Sequence, residues 1–271
     1  MSLIRDLDVV RHGWRWQRPR PRSWAPAERV LPERPTDLGW ARLEPVRTIR
    51  YLIQRGLMMP FNELMTHPQV EGVEWVSRLD SPVILASNHT SHADTPLLLH
   101  ALPQRVRERV VVAAAADYFY RRPWLGRLMS LWLNTFPFAR TGGAQEVLNR
   151  SSQLLKSGWN LLVYPEGTRS EDGRLQPFRP GIGFLAAENR TAVVPMHVSG
   201  THRVLPKGGR VPVPAPVRIR IGQPLYPQRE EPHREFAQRV EDAVHELSSG
   251  SRAAPRSWID RWRVTAPARP G

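Results

Sequence analysis

The segment from residue 83 to residue 95, VILASNHTSHADT, places the strongest constraint on the fold of this chain. Its first four residues are apolar and have the length and composition of a buried strand. A polar cluster follows, and Asp94-Thr95-Pro96 then predicts a helix start, with Asp94 as a side-chain cap and a proline that the first turn tolerates. Ligands of open α/β sheets bind beyond the carboxyl ends of the strands. The sequence therefore places two imidazoles and a carboxylate where a ligand would bind.

The spacing of His89 and Asp94 suits general-base catalysis. A tight strand-to-helix turn can bring the carboxylate back onto the imidazole, where it would fix the tautomer and stabilise the imidazolium. The chain has no cysteine and no G-x-S-x-G elbow, so no nucleophile is evident. The proton would then come from the substrate, for example from a hydroxyl that attacks an acyl group. The same spacing also arises by chance and in helix caps, so this segment alone leaves the choice open.

A second strand-and-turn segment, residues 161 to 170 (LLVYPEGTRS), has the composition of an anion site. Gly167 would let backbone N–H groups approach an anion closely, and Arg169 could hold a phosphate with two parallel hydrogen bonds. An ordinary turn with a solvated charge pair would contain the same residue types.

Together, NHTSHAD and YPEGTRS resemble the motifs of the glycerolipid acyltransferase family, which includes the lysophosphatidic acid acyltransferases. The resemblance runs from about residue 83 to about residue 227. It implies an α/β fold, with a mostly parallel central sheet flanked by helices. It also implies an O-acyltransferase that moves a fatty acyl group from a thioester to the hydroxyl of a lysophospholipid, such as 1-acyl-glycerol-3-phosphate, in phospholipid biosynthesis.

The resemblance implies roles for individual residues. His89 is expected to take the hydroxyl proton and Asp94 to orient it, while Arg140 and Arg169 are expected to bind the acceptor phosphate. Arg140 matches loosely, because Ala139 stands where the family has an acidic residue. The other expected site residues are Glu166, which shapes the loop or holds the acceptor, Gly167, which leaves room for a backbone donor, Thr168 in the same substrate-binding turn, and Asn88 and Ser91 as supports. His92 lies inside the motif, but the family pattern does not require it.

The resemblance implies no separate cofactor, since acyl-coenzyme A or an acylated carrier protein would be a co-substrate. Two histidines and an aspartate could in principle bind zinc. Their pairing with the EGTR turn favours acyl transfer instead, and no metal site is expected.

The charge of the chain points to acidic partners. The net charge is +14 over 271 residues, which suits nucleic acid, anionic lipid or phosphorylated substrates. Many of the ten tryptophans lie beside arginines, a pairing typical of membrane interfaces, although the tryptophans could equally pack in the core. No run of about 18 apolar residues and no secretory signal is evident. We expect a peripheral or monotopic protein on the cytoplasmic face of the cell membrane, with the anionic surface, a lysophospholipid, an acyl thioester and an acyl carrier protein as candidate partners, and no nucleic acid.

The composition predicts three regions. Residues 1–40 form a flexible, basic, Pro-rich arm, residues 41–247 form the acyltransferase domain, and residues 248–271 form a basic tail. The domain begins with a helical region at 41–66, in which apolar residues recur at helical spacing among arginines 42, 47, 50 and 55. Such a helix can lie on an anionic bilayer, or it can pack on a core and show its arginines to water. The family resemblance favours the membrane.

Apolar patterning predicts the remaining elements of the domain. The predicted strands are 70–75, 83–86, 110–116, 134–140, 160–164, 191–198 and 217–221, and the predicted helices are 97–102, 145–157, 183–189 and 231–247.

Two alternatives stay open. The first is the same chemistry on glycerol phosphate or a glycolipid. The second is a non-enzymatic basic protein that binds membrane or nucleic acid. The ordered set of His89, Asp94, Glu166 and Arg169 argues against the second.

Overall fold

The computed structural model of the protein describes residues 39–80, 82–115, 122–138, 144–170, 174–206, 209 and 211–250. Most of the predicted Pro-rich arm, Arg140 and the tail beyond residue 250 lie outside the described residues. The proposed region boundaries at residues 40 and 248 therefore stay predictions.

Within the described part of the chain, seven strands form one sheet. The strands are β1 Gln69–Glu71, β2 Ile84–Ser87, β3 Val110–Ala115, β4 Thr135–Phe138, β5 Asn160–Val163, β6 Val193–Ser199 and β7 Arg218–Ile221. Their order is β1-β7-β6-β2-β5-β3-β4, and every neighbouring pair is parallel except β6 and β7. The predicted mostly parallel sheet is confirmed, with β2 near its centre.

Helices connect the strands and cover both faces of the sheet. They are α1 Glu44–Ile53, α2 Met59–Thr66, α3 Val73–Ser77, α4 Asp94–Ala101, α5 Gln104–Arg107, α6 Pro123–Leu133, α7 Ala144–Lys156, α8 Gly181–Asn189, α9 Thr201–Val204 and α10 His233–Ser249. A 3₁₀ turn, Gly39–Arg42, precedes α1, and a π-helical segment, Gln54–Met58, joins α1 to α2.

Strand β2 shows why the sequence gives a sheet buried on both sides. All four of its residues are buried, and successive side chains point to opposite faces. Ile84 and Ala86 enter a core that includes Leu154, Ile182 and Phe236 of α7, α8 and α10. Leu85 enters the opposite core, with Leu97 of α4 and Leu133 of α6. A continuous apolar run is the pattern expected of a strand in a parallel sheet covered by helices.

The predicted strand at 70–75 is wrong in its second half. Strand β1 ends at Glu71, and Gly72 then turns the chain into α3 with a φ of +80°. A side chain at Gly72 would collide with the carbonyl of Ile221, since its Cβ would lie 1.9 Å from that oxygen. The short helices α5 and α9 escaped prediction because four residues are too few to show a helical period.

The N-terminal helical region, residues 44–66, has the reverse burial pattern of an ordinary surface helix. Its buried side chains are mostly polar, and its large apolar side chains face outwards. The buried set is Arg50, Gln54, Met58, Asn62 and Thr66, and the exposed set is Ile49, Leu52, Leu57, Phe61 and Leu64. The expectation that Arg50 faces water or lipid is therefore wrong.

Hydrogen bonds to neighbouring helices explain the polar inner face. Arg50 donates to the carbonyls of Ser130 and Leu131, and Gln54 donates to that of Trp132. These carbonyls belong to the last turn of α6, where a helix leaves carbonyls without intrahelical partners. That of Ser130 also accepts the N–H of Asn134 at the end of the helix. Asn62 donates to the carbonyl of Pro96 in the same way, at 3.0 Å. Polar contacts therefore hold the region on the domain and leave its apolar face uncovered by the described residues.

The π-helical segment keeps the inner face aligned. Residues at a strict four-residue spacing rotate by about 40° per step in an ideal α-helix, so five of them would leave one face. The wider turn at Gln54–Met58 reduces that rotation. Gly56 lies within this turn and Pro60 in the first turn of α2, and the helical region continues through both.

Candidate active site

The imidazole of His89 and the carboxylate of Asp94 form a hydrogen-bonded pair beyond the carboxyl end of β2. His89 Nδ1 lies 2.8 Å from Asp94 Oδ2. The same oxygen accepts the backbone N–H groups of Thr90 and Ser91, at 2.7 and 2.8 Å. Asp94 is fully buried, so these three donors hold its carboxylate in place. With Nδ1 donating to the carboxylate, Nε2 of His89 presents the lone pair that can take a proton.

Asp94 does not cap helix α4 as the sequence predicted. It is the first residue of the helix, and no side chain at the preceding position makes a capping hydrogen bond. The physical reason is that its carboxylate turns back to the loop, where two backbone N–H groups and the imidazole compete successfully for it.

Tyr164 forms one wall of the pocket around His89. The two rings are stacked, with centroids 3.9 Å apart and planes 15° apart. The hydroxyl of Tyr164 lies 2.7 Å from that of Thr95 in the first turn of α4. Burial raises the pKa of Tyr164 well above its ordinary value, and the nearby Asp94 raises it further, so the phenol stays neutral. The ring therefore fixes the plane of the imidazole without competing for its proton.

Glu166 links two loops behind the histidine. Its Oε1 accepts the backbone N–H of His89 at 2.8 Å, and its Oε2 accepts that of Gln176 at 3.2 Å. The residue is buried, and desolvation raises the pKa of its carboxyl to about 7, against the lowering effect of those two hydrogen bonds. Backbone N–H groups occupy both carboxylate oxygens. Of the two roles that the sequence left open for Glu166, shaping the loop or holding the acceptor, these contacts favour shaping the loop.

Gly167, Thr168 and Arg169 all line the cavity next to His89. The N–H of Gly167 donates to the carbonyl of Tyr164 at 3.0 Å, so the turn itself uses this donor. Thr168 is exposed, and its hydroxyl donates to the carbonyl of Arg169. Arg169 lies close enough to His92 for its charge to affect that imidazole.

Asn88 and Ser91 support the loop from buried positions. The amide of Asn88 pairs in both directions with the backbone of Val198, at 2.8 and 2.9 Å, which ties the loop to β6. The hydroxyl of Ser91 donates to the carbonyl of Leu205 at 2.7 Å. These contacts suit the supporting roles that the sequence predicted.

His92 lines the cavity as a neutral imidazole. Burial lowers its pKa to about 4, and the positive charges of Arg169 and of protonated His89 add to that effect. Because the imidazole of His92 is uncharged at neutral pH, the positive charge in this part of the cavity comes from the arginines.

The cavity has a volume of about 940 Å³ and reaches both faces of the sheet. Met129, Trp132 and Leu133 line it on one face, and Leu148, Ile182 and Leu185 line it on the other. Besides the phenol of Tyr164, the ionisable side chains in its described lining are His89, His92, Arg169 and Arg179, and no carboxylate is among them. The site therefore combines a proton acceptor, an apolar volume and positive charge.

Metal-binding clusters and membrane-spanning helices are both absent from the described residues. No group of three or more His, Cys, Asp or Glu side chains there could hold a metal ion. Nor does any described helix have the length and apolar character that crossing a bilayer requires.

Comparison with known proteins bears on the family of the chain. Residues 67–199 match the family model described as "Acyltransferase", and this range contains both motifs. The matched range is 133 of the 271 residues, just under half of the chain. The predicted resemblance to the acyltransferase family is thereby confirmed, and the matched range includes β2, β5 and the pair His89–Asp94.

Two curated relatives of this domain are named for the same acceptor. The chain is 32% identical over 160 residues to the chloroplastic 1-acyl-sn-glycerol-3-phosphate acyltransferase BAT2 of Brassica napus, which covers 58% of this chain and 44% of the relative. It is 28% identical over 191 residues to the 1-acyl-sn-glycerol-3-phosphate acyltransferase of Cocos nucifera, covering 69% of this chain and 58% of that relative. The chain thus spans about half the length of the curated relatives it matches.

A solved structure shares the fold of the acyltransferase domain. The 1-acyl-sn-glycerophosphate (LPA) acyltransferase PlsC from Thermotoga maritima superposes with a TM-score of 0.58 and 27% identity, over 80% of this chain and 86% of that one. The predicted fold class is therefore confirmed by a relative as well as by the sheet itself.

The sequence missed two residues of this candidate site. Tyr164 was treated as the end of a strand, and Arg179 was given no role. The position of Tyr164, directly before the PEGTR turn, could have indicated that it lies near His89. The carboxyl ends of neighbouring parallel strands lie side by side, and Tyr164 follows one such strand while His89 follows another. Nothing in the spacing of Arg179 indicates that it returns to the cavity.

Proposed function

We propose that the protein is an O-acyltransferase that moves a fatty acyl group from a thioester to the hydroxyl of a lysophospholipid, with 1-acyl-glycerol-3-phosphate as acceptor. The observation that carries the proposal is the His89–Asp94 pair, which stands at the wall of an apolar cavity whose described charged groups are all basic. The names of the two relatives and the position of Arg169 in the cavity support this acceptor.

The chemistry follows from the geometry of the pair. Nε2 of His89 takes the proton of the acceptor hydroxyl as its oxygen attacks the thioester carbonyl. Asp94 stabilises the imidazolium through the 2.8 Å hydrogen bond to Nδ1. The tetrahedral intermediate then collapses, the C–S bond breaks, and the imidazolium returns the proton to the leaving thiolate. General-base catalysis of this kind contributes about 10²–10⁴-fold to the rate.

The donor and the acceptor use different parts of the cavity. Apolar side chains on both sheet faces suit fatty acyl chains, while Arg169 suits the acceptor phosphate. Arg140, which lies outside the described residues, is proposed to share that role. Acyl-coenzyme A or an acylated carrier protein supplies the acyl group as a co-substrate, and the proposed reaction needs no metal or further cofactor.

We place the enzyme on the cytoplasmic surface of the cell membrane. The outward apolar face of the N-terminal helical region supports this, since Leu52, Leu57 and Leu64 are 60–72% exposed. Phe61 of the same region also lines the cavity, so lipid could pass from the surface to the site. The net charge of +14 complements anionic lipid headgroups.

An acyl-thioester assay across a panel of acceptors tests the proposed function. We expect thiol release that depends on lysophosphatidate, with slower release for glycerol 3-phosphate and for a glycolipid. A faster rate with either of the last two would reassign the acceptor. If a folded protein releases no thiol in response to any acceptor, with every donor thioester tried, the proposed function is refuted and the non-enzymatic alternative is left.

A further inference from the structure

Arg179 lies across the turn that carries the EGTR motif and reaches the cavity. Its guanidinium covers Gly167 so closely that a Cβ on Gly167 would lie 2.6 Å from both Cζ and Nε of Arg179. Real Cβ atoms do not approach so near to another heavy atom. The absence of a side chain at residue 167 is therefore what lets the arginine occupy this position.

The backbone around Arg179 is tied to the same turn. The N–H of Arg179 donates to the carbonyl of Pro165 at 3.1 Å, and that of Gln176 donates to Glu166 at 3.2 Å. The N–H of Phe178 donates to Glu241 of helix α10 at 2.7 Å. The arginine therefore starts from a fixed position, which lowers the entropic cost of holding a ligand.

The charge of Arg179 has no counter-ion among the described residues. Its guanidinium makes no hydrogen bond or ion pair with any of them, and the described cavity lining contains no carboxylate. Arg169 lines the same cavity from the adjacent turn. Two guanidinium groups that border one cavity favour an anionic ligand, because each can donate two parallel hydrogen bonds to phosphate.

We propose that Arg179 is a further phosphate-binding arginine, which works with Arg169, and that Gly167 is glycine because Arg179 must lie over it. The inference rests on the proposed function and deepens it. The ligand class is a phosphate ester. The phosphomonoester of the lipid acceptor and the phosphates of a coenzyme A thioester share this chemistry, so the experiment has to separate them.

The first experiment measures the preference for phosphate by equilibrium binding. Wild-type protein, Arg179→Ala and Arg229→Ala are titrated with lysophosphatidate and with the monoacylglycerol of the same chain. Arg229 is a matched control, since its side chain is 96% exposed and its loss changes the net charge equally. We expect Arg179→Ala to lose about ten- to a hundredfold of the preference for the phosphorylated lipid, and Arg229→Ala to keep it. An unchanged preference in folded Arg179→Ala overturns the proposal.

The second experiment identifies which phosphate is bound. The acceptor KM is measured with acyl-coenzyme A and again with an acyl N-acetylcysteamine thioester, which has no phosphate. A raised acceptor KM for Arg179→Ala with both donors supports acceptor binding. A change confined to the KM for acyl-coenzyme A would assign Arg179 to the donor and overturn the acceptor assignment. If the wild-type protein binds lysophosphatidate selectively but transfers no acyl group, the proposed function is refuted and the phosphate-binding role of Arg179 is not.

A double-mutant cycle tests the link between Gly167 and Arg179. Gly167→Ala should weaken lysophosphatidate binding, because the new methyl displaces the guanidinium and the φ of +78° disfavours alanine. If Gly167 acts through Arg179, adding Gly167→Ala to Arg179→Ala costs little further affinity. Fully additive losses, with melting temperatures equal across the four proteins, would contradict the link.

Discussion

Replacing two exposed leucines of the N-terminal helical region should weaken membrane binding without weakening the fold. Leu57 and Leu64 are 68% and 72% exposed, and they lie on the face opposite the buried polar residues. The double variant Leu57→Gln/Leu64→Gln keeps the helix propensity, since leucine and glutamine differ little in it. It removes apolar surface that only a membrane would cover.

The expected loss follows from the area that a bilayer could bury. Fully burying one leucine side chain is worth about 1.5–3 kcal/mol, and about two thirds of each of these side chains is available. Each replacement should therefore cost about 1–2 kcal/mol of binding free energy, and the pair about 2–4 kcal/mol. That corresponds to a vesicle affinity about 30- to 700-fold lower. The free energy of unfolding should change by less than about 0.5 kcal/mol per site, because both side chains already meet water in the free protein.

Flotation with anionic vesicles at low salt measures this loss. Tyr226→Gln is the control, since Tyr226 is 58% exposed. Tyr226 follows Leu225, which pairs with Val193 at the amino end of β6, whereas the site lies at the carboxyl ends of the parallel strands. Wild-type binding should also weaken as salt is added, because surface charges are screened beyond about 10 Å at 0.1 M. Equal flotation of the wild type and the double variant would refute the assigned membrane face, and a wild type that stays unbound at low salt would refute membrane binding itself.

Three further changes probe the site. Asp94→Asn should lower kcat by about 10²–10⁴-fold with substrate binding kept, since it removes the charge that stabilises the imidazolium; stopped-time thiol assays and calorimetry check both points. Arg169→Lys should raise the acceptor KM by about ten- to a hundredfold, and an unchanged KM with a lower melting temperature would instead give Arg169 a structural role. Since burial raises the pKa of Glu166 from 4.5 to about 7, the folded protein binds more protons than the unfolded chain between these values. Stability should therefore fall as pH rises through this window, and Glu166→Gln should flatten that part of a plot of melting temperature against pH.

Much of the site could be predicted because it depends on local sequence. The apolar runs that end at Ser87 and Val163 become neighbouring parallel strands, β2 and β5, with Leu85 opposite Leu162. Carboxyl ends of parallel strands meet at one edge, so His89 and Arg169 had to come close. The approach of Asp94 to His89 followed from a spacing that one tight turn can close.

The inverted helical region could not be predicted from its pattern. Periodicity shows that a helix has an apolar and a polar face, but it does not show which face the fold covers. Here the last turn of α6 presents its carbonyls to the N-terminal helical region, and Arg50 and Gln54 donate to them. Burial lowers the pKa of Arg50 to about 10, which still leaves it charged at neutral pH. Such partners exist only after the fold brings distant segments together.

The places of Tyr164 and Arg179 in the cavity could not be predicted because they also depend on contacts between distant segments. The stacking of Tyr164 on His89 depends on β2 and β5 being neighbours, and the position of Arg179 depends on a loop that returns to the EGTR turn. Residue type alone assigns neither of them to the cavity.

The central claim is that Nε2 of His89 takes the proton of the acceptor hydroxyl. Thiol release from an acyl thioester in the presence of lysophosphatidate, compared between His89→Ala and the exposed control His245→Ala, tests it most directly. A folded His89→Ala protein should lose at least about 10²-fold in rate, while His245→Ala should match the wild type. Wild-type turnover by folded His89→Ala would contradict the claim and turn attention to His92.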